Sequence, residues 1–175
     1  RQALLSLPFK IEDVDLIISA SYTPNDTIAT TAHYIQREFQ ITNAKVFSLS
    51  AACSSAINGI EIIRSYFQTG IASKALLICA ERNSMFSDDN DCENGHLWGD
   101  AAVSLFFSTE KSDKCIELID ITSQGLGHIG KGPEAVSLNL NYGKLKMPYG
   151  KDVFQNACTY MKESTVAILK LNGYK

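Results

Sequence analysis

The chain has 175 residues, with 16 Lys and Arg against 19 Asp and Glu for a formal net charge of −3, and is 45% hydrophobic and 20% charged. That composition supports one sizeable core and excludes a disordered tail, a collagen-like fibre and a coiled coil. The slightly acidic balance argues against a nucleic-acid binder, which would carry a basic excess or stripe, and no apolar run approaches the roughly eighteen residues that span a bilayer.

The start, Arg1-Gln2-Ala3, is not a signal peptide and carries no Met, so either processing removed something or this is a piece of a longer polypeptide. An odd number of cysteines without an export signal reads as cytoplasmic. Asp15 to Ser21 is a nearly continuous apolar run, the pattern of a strand covered on both faces. A turn at Pro24-Asn25-Asp26 follows. Ile28, Ala32, Ile35 and Phe39 then recur at helical spacing, with Thr27 as the cap. Lys45 to Ser50 reads as a second strand. Ala56, Ile60, Ile63 and Phe67 mark a second helix stopped by Gly70. Residues 75–80 and 102–107 read as buried strands, and 115–122 alternates Ile116, Leu118 and Ile119 with charges, like a strand near an edge. A Gly-rich stretch over 123–148 reads as loop, and 152–171 as a helix ended by Asn172-Gly173. Strands alternating with helices mean an α/β layered domain over 1–175.

Five cysteines, at 53, 79, 92, 115 and 158, form no C-x-x-C pair, so neither a zinc ribbon nor a disulfide scaffold is indicated. Most of them are expected to be inert, as small buried hydrophobes. Cys53 differs. The strand 46–49 runs into Ser50-Ala51-Ala52, then Cys53, then an amphipathic helix. Small residues let the backbone turn sharply, and a helix N-terminus favours a thiolate. A nucleophile can be activated there without a neighbouring base in the sequence.

These residues carry a resemblance. Leu49-Ser50-Ala51-Ala52-Cys53-Ser54, preceded by Asp15-Leu16-Ile17-Ile18 and followed by Trp98-Gly99-Asp100-Ala101-Ala102, resembles β-ketoacyl-acyl-carrier-protein synthase III, a thiolase-like condensing enzyme family. Tyr149-Gly150-Lys151-Asp152-Val153-Phe154 resembles the family's Asn-Gly-x-x-Val-Phe segment. The resemblance implies a thiolase-like half-domain, a mixed sheet between helices, in which Cys53 accepts an acyl group from acyl-CoA or acyl-carrier protein. A malonyl thioester on acyl-carrier protein would then lose CO2, and its carbanion would attack the acyl-Cys to give a 3-oxoacyl thioester. The Cys53 N–H would serve an oxyanion hole. A homodimer paired through the 45–50 strand is implied, with no cofactor beyond the thioester substrates. The family's donor-stabilising His and Asn would come from a second half, so this chain reads as an N-terminal domain that does not complete a condensation alone.

The resemblance also places Ile28, Asn83 and Trp98 around the acyl pocket. Ile28 stands where the family often has an aromatic residue limiting the partner's pocket, which would admit longer or branched chains. Trp98 stands for a Phe and would narrow the tunnel. Cys92 replaces an Arg that contacts the CoA adenine, which favours a carrier-bound donor. Two other readings within and beyond the family are a thiolase-like acyl transferase without condensation and a non-catalytic partner half supplying a dimer interface. A Cys/His hydrolase would need His33, His96 or His128 beside Cys53, and nothing positive supports it. Asp88 to Gly95 has calcium-like spacing but lacks the turn Gly and the bidentate Glu, so it reads as a solvated acidic loop. Gly125-Leu126-Gly127-His128-Ile129-Gly130 matches a dinucleotide fingerprint without its helix, and Gly99-Asp100 reads as a structural turn. An isolated half is expected to expose apolar helix faces that its twin covers.

Overall fold

The computed structural model describes residues 4, 7–113, 115–139, 141 and 143–174. They fall into two compact units, Arg1–Glu81 with Ala101–Ile121, and Arg82–Asp100 with Thr122–Lys175. The architecture is α/β, a mixed sheet flanked by helices.

In the first unit, β1 (Leu16–Ala20), β2 (Lys45–Leu49), β3 (Lys74–Glu81) and β4 (Ala101–Ser108) form one sheet in the order β2-β1-β3-β4. β1 is parallel to both β2 and β3, with Ile18 opposite Phe47 and Leu77. β4 runs antiparallel to β3 through eight registered pairs, from Lys74–Ser108 to Glu81–Ala101. Every residue of β1 is buried, Ser19 included, as its nearly continuous apolar run predicts of a strand with a helix on each face. Asp15 aligns the strand starts, its carboxylate accepting the Ser73 and Lys74 N–H groups at 2.8 and 2.9 Å.

The alternation along β1 separates the two faces. Leu16, Ile18 and Ala20 pack with Leu77 and with Ile63 of α2 (Ser55–Gln68), whereas Ile17 packs with Leu76, Ile78 and Ala32 of α1 (Thr31–Glu38). Close approach of α2 to β3 depends on Gly59, where a Cβ would meet a Leu77 methyl at 2.7 Å. A fully buried leucine contributes about 1.5–3 kcal/mol, so this helix–strand contact is a principal support of the unit.

α1 begins later than the sequence periodicity predicts. Ile28 and Ala29 donate their N–H groups to the Asp26 carboxylate at 2.7 and 2.8 Å, forming a local turn that competes with helix. The helix therefore starts at Thr31, preceded by Thr30 in the capping position, and Thr27 caps nothing. The strand expected over 115–122 is also corrected. Its described residues form no strand, and Ile116 is 98% exposed. Alternation marks one apolar face, but a strand also needs a neighbour to accept its backbone bonds. Instead the Asp120 carboxylate pairs with the Arg64 guanidinium of α2.

The second unit contains, among the described residues, three 3-10 turns, Asn83–Met85, Gly95–Leu97 and Gly132–Glu134, a small antiparallel pair of β5 (Ser137–Leu138) and β6 (Leu145–Lys146), and α3 (Gly150–Leu171). The β5–β6 pair lies inside the stretch expected to be loop throughout. α3 stops where the sequence predicts, Gly173 taking φ +76°. It carries no buried residue, and Phe154, Met161 and Leu171 are 69%, 70% and 79% exposed. Among the described residues, no helix is long and apolar enough to cross a membrane.

Candidate active site

β2 ends at Leu49, and four residues later the chain reaches Cys53, just ahead of α2, whose N-cap is Ser54. The small residues between them do specific work in shaping this turn. Ala52 adopts φ +48°, the left-handed region that a bulky side chain resists. The buried Ser55 hydroxyl accepts the Ala51 N–H at 2.9 Å and donates to the Ala52 carbonyl at 2.6 Å. Ser54 donates its hydroxyl to the Ala51 carbonyl at 2.8 Å. Three side-chain bonds thus hold a strained turn, and the Cys53 thiol stands exposed on it.

Removing the Ser55 hydroxyl strands the Ala51 N–H in a partly buried corner. Ser55→Ala should destabilise the first unit by about 1–3 kcal/mol in urea unfolding monitored by circular dichroism. A change within experimental error would show that the Ala51–Ser55 turn does not need its staple.

The other cysteines are not what burial statistics predict. Cys92, Cys115 and Cys158 are exposed and only Cys79 is partly buried. Cys92 and Cys115 lie on irregular segments and Cys158 on an exposed position of α3, so none of the three sulfurs enters a core. At Cys79, burial pushes the thiol pKa up, with the Glu81 charge adding to the effect, which disfavours a thiolate there.

Ile28 lies in the same unit as Cys53, on the β1–α1 loop, and is 87% exposed. Asn83 and Trp98 lie in the second unit. Asn83 is buried and donates its side-chain amide to the Gly99 carbonyl at 2.8 Å, so it ties the two ends of the 82–100 segment together. Trp98 is half-buried, and its indole nitrogen has no hydrogen-bond partner among the described residues.

Asp100 makes the neighbouring tie, accepting the Ser84 N–H at 2.8 Å and the Ser84 hydroxyl at 2.6 Å. The Ser84 side-chain and backbone bonds hold the Asp100 carboxyl below its ordinary value of 3.8. A depressed carboxyl pKa means a contribution present above the unfolded value and lost as pH falls through the folded one. Trp98, the single tryptophan of the chain, reports this. Its emission should hold steady down to about pH 5 and shift to the red below about pH 4. Asp100→Ala should show the red-shifted spectrum already at pH 7, and a wild-type spectrum there would sink the assignment.

His33, His96 and His128 are all exposed, and His33 Nδ1 lies 2.9 Å from the Thr30 hydroxyl. Among the described residues, no group of three His, Cys, Asp or Glu side chains is arranged to hold a metal ion. In the acidic loop, Asp91 spends its carboxylate on the Glu93 and Asn94 N–H groups at 3.1 and 2.9 Å. The Gly125–Gly130 stretch runs into a 3-10 turn, Gly132–Glu134, and not a helix. A cleft of about 830 Å³ in the second unit is lined by Leu97, Met147, Tyr149, Val153, Phe154 and Ala157 among others, and by none of the four predicted site residues.

A β2–β1–β3–β4 mixed sheet between helices, with a cysteine on the β2–α2 turn, defines a thiolase-like α/β half-domain. Comparison with known proteins narrows this. The family profile described as 3-oxoacyl-[acyl-carrier-protein (ACP)] synthase III matches residues 47–125. The β-ketoacyl-[acyl-carrier-protein] synthase III of Clostridium botulinum is 33% identical over 179 residues, covering 96% of this chain and 54% of that protein. Its counterpart from Clostridium perfringens is 30% identical, covering 100% and 56%. The crystal structure of 3-oxoacyl-[acyl-carrier-protein] synthase III from Aquifex aeolicus VF5 superposes with a TM-score of 0.83 at 29% identity, covering 99% of this chain and 54% of that one. The chain thus matches the β-ketoacyl-acyl-carrier-protein synthase III family of thiolase-like condensing enzymes. It spans about half the length of the curated relatives it matches.

Sequence reasoning missed Ser55, and also the Glu81 carboxylate, which accepts hydrogen bonds from residues 21–23. The second had a visible signal, a lone carboxylate closing an apolar strand.

Proposed function

We propose that the chain is the N-terminal, nucleophile-bearing domain of a condensing enzyme that extends an acyl group with malonyl-acyl-carrier protein. The observation that carries this reading is the exposed Cys53 thiol on a strained turn directly before α2. Cys53 sulfur attacks the carbonyl of an acyl thioester, the C–S bond to the donor thiol breaks, and an acyl-Cys53 thioester remains. The Cys53 N–H, at the start of a helix, donates to the oxyanion that appears only during attack. Malonyl-acyl-carrier protein then releases CO2. Its α-carbon forms a bond to the acyl carbon, and the Cys53 sulfur leaves as a thiolate, giving a 3-oxoacyl-acyl-carrier protein.

A His and an Asn supplied from outside this chain stabilise the decarboxylating donor, and no group of the chain replaces them in this reading. By resemblance, Ile28 would limit the acyl pocket of a partner copy, whereas Asn83 and Trp98 are acyl-pocket residues of the second unit, Asn83 shaping the loop that carries Trp98. The place of β2 at a sheet edge supports pairing of two copies through residues 45–50. An edge strand offers an unpaired row of backbone donors and acceptors.

Incubation with acyl-CoA, and separately with acyl-acyl-carrier protein, followed by intact mass and peptide mapping, tests the reading. One acyl group on the peptide containing Cys53 is expected. A chain left unmodified by both donors would leave an acyl transfer role without support and favour a partner half that supplies only an interface.

A further inference from the structure

β3 ends in a charged residue with no part in the steps above. The Glu81 carboxylate accepts the Tyr22 N–H at 3.1 Å on Oε1. Its Oε2 accepts the Thr23 N–H at 3.1 Å, the Ser21 hydroxyl at 3.2 Å and the Thr23 hydroxyl. Four donors from three consecutive residues converge on one side chain, at a site where Ser21 and Thr23 are both buried. The ionised group suits this task, because a carboxylate is an acceptor only, with room for about four bonds. Bonds to a charged acceptor are also about twice as strong as neutral ones.

The clamped segment is hydrogen-bonded to the end of β2 and runs on in the chain to the loop that carries Ile28. Ser21 donates its N–H to the Leu49 carbonyl at 3.1 Å. Leu49 ends β2, and the strained turn to Cys53 starts from it. On the other side, Pro24 and Asn25 lead to Asp26, whose carboxylate holds the backbone of Ile28 and Ala29. Glu81 therefore joins the ends of three strands to one loop and to the base of the nucleophile turn.

We infer that Glu81 is a positioning residue, which clamps residues 21–23 and through Ser21 and Leu49 sets the placement of the Cys53 turn. This rests on the proposed role of Cys53, but its first test does not require acyl transfer. Alkylation of Cys53 by iodoacetamide is followed by peptide mapping, with Cys92 and Cys158 of the same chain as internal references and circular dichroism melting as a check on folding.

In Glu81→Gln an amide N–H faces converging donors and the clamp opens. Thr23→Val removes one donor and keeps the Glu81 charge. Both should change the rate at Cys53 relative to Cys92 and Cys158, by about tenfold for Glu81→Gln and by less for Thr23→Val, in the same direction. An unchanged ratio in both variants overturns the inference, as does a parallel rise at all three cysteines, which reports general loosening. A change in Glu81→Gln alone assigns the effect to charge and also overturns it. A second arm repeats the comparison with short and long acyl thioesters, whose relative rates should shift by about threefold if the loop carrying Ile28 moves. Wild type that alkylates at Cys53 yet takes no acyl group defeats the proposed function while the alkylation result still decides this inference.

Discussion

Cys53→Ala should leave no acyl group on the chain after incubation with an acyl thioester, while the melting temperature stays close to wild type. The thiol is exposed, so its loss removes little packing. The left-handed Ala52 and the Ser54 and Ser55 bonds that form the turn do not involve the sulfur. The comparison has force because Cys92, Cys115 and Cys158 are also exposed. Exposure alone would spread acyl groups over all four. Cys92→Ala and Cys158→Ala should therefore keep the full adduct. Cys53→Ser should lose it on the same timescale, since a hydroxyl without an adjacent base is a far weaker nucleophile than a thiolate. Persistent acylation of Cys53→Ala, mapped to any other cysteine, would remove the basis for assigning the chemistry to the β2–α2 turn.

The largest effect on stability is expected at the α2–β3 contact. Leu77 is fully buried, and Leu77→Ala should cost roughly 2–5 kcal/mol. Gly59→Ala brings a methyl to 2.7 Å from the Leu77 Cδ1 position. Because Leu77 has no solvent side to swing toward, overpacking of about 1–3 kcal/mol outweighs or cancels the roughly 1 kcal/mol that alanine adds to a helix. In the double variant the new methyl enters the space that the leucine vacates. Urea unfolding of the four proteins should give a double variant at least about 1 kcal/mol more stable than the sum of the singles predicts. Strict additivity would mean that the two sites do not share that space.

The sheet was legible wherever strands are buried on both faces. β1 and the middle of β3 are nearly continuous apolar runs because a helix covers each side, and their limits in the sequence match the structure to within a residue or two. The start of α1 was not legible from spacing. Ile28 falls on the same stripe as Ala32 and Ile35, but Asp26 takes the backbone donors first, a local competition that periodicity does not weigh. The alternation over 116–119 was misleading for a related reason. It registers which side is apolar and says nothing about whether another strand accepts the backbone bonds. At the site, Cys53 stood out through the small residues before it. The Ser55 staple and the Glu81 clamp depend on contacts made at the end of a turn or across sixty positions of sequence, which no local pattern encodes.

The β3–β4 pair has one further consequence, for the speed of folding. Its strands are antiparallel neighbours, yet residues 82–100 intervene where a hairpin would use a tight turn. Each doubling of loop length adds about 0.6 kcal/mol to closure, so this excursion costs roughly 2 kcal/mol more than a two-residue connection. The Asn83–Gly99 and Ser84–Asp100 bonds lie at its neck, beside the Glu81–Ala101 pair. Once formed they convert a long-range search into a local zipper, and β4 then finds its register as a short hairpin would.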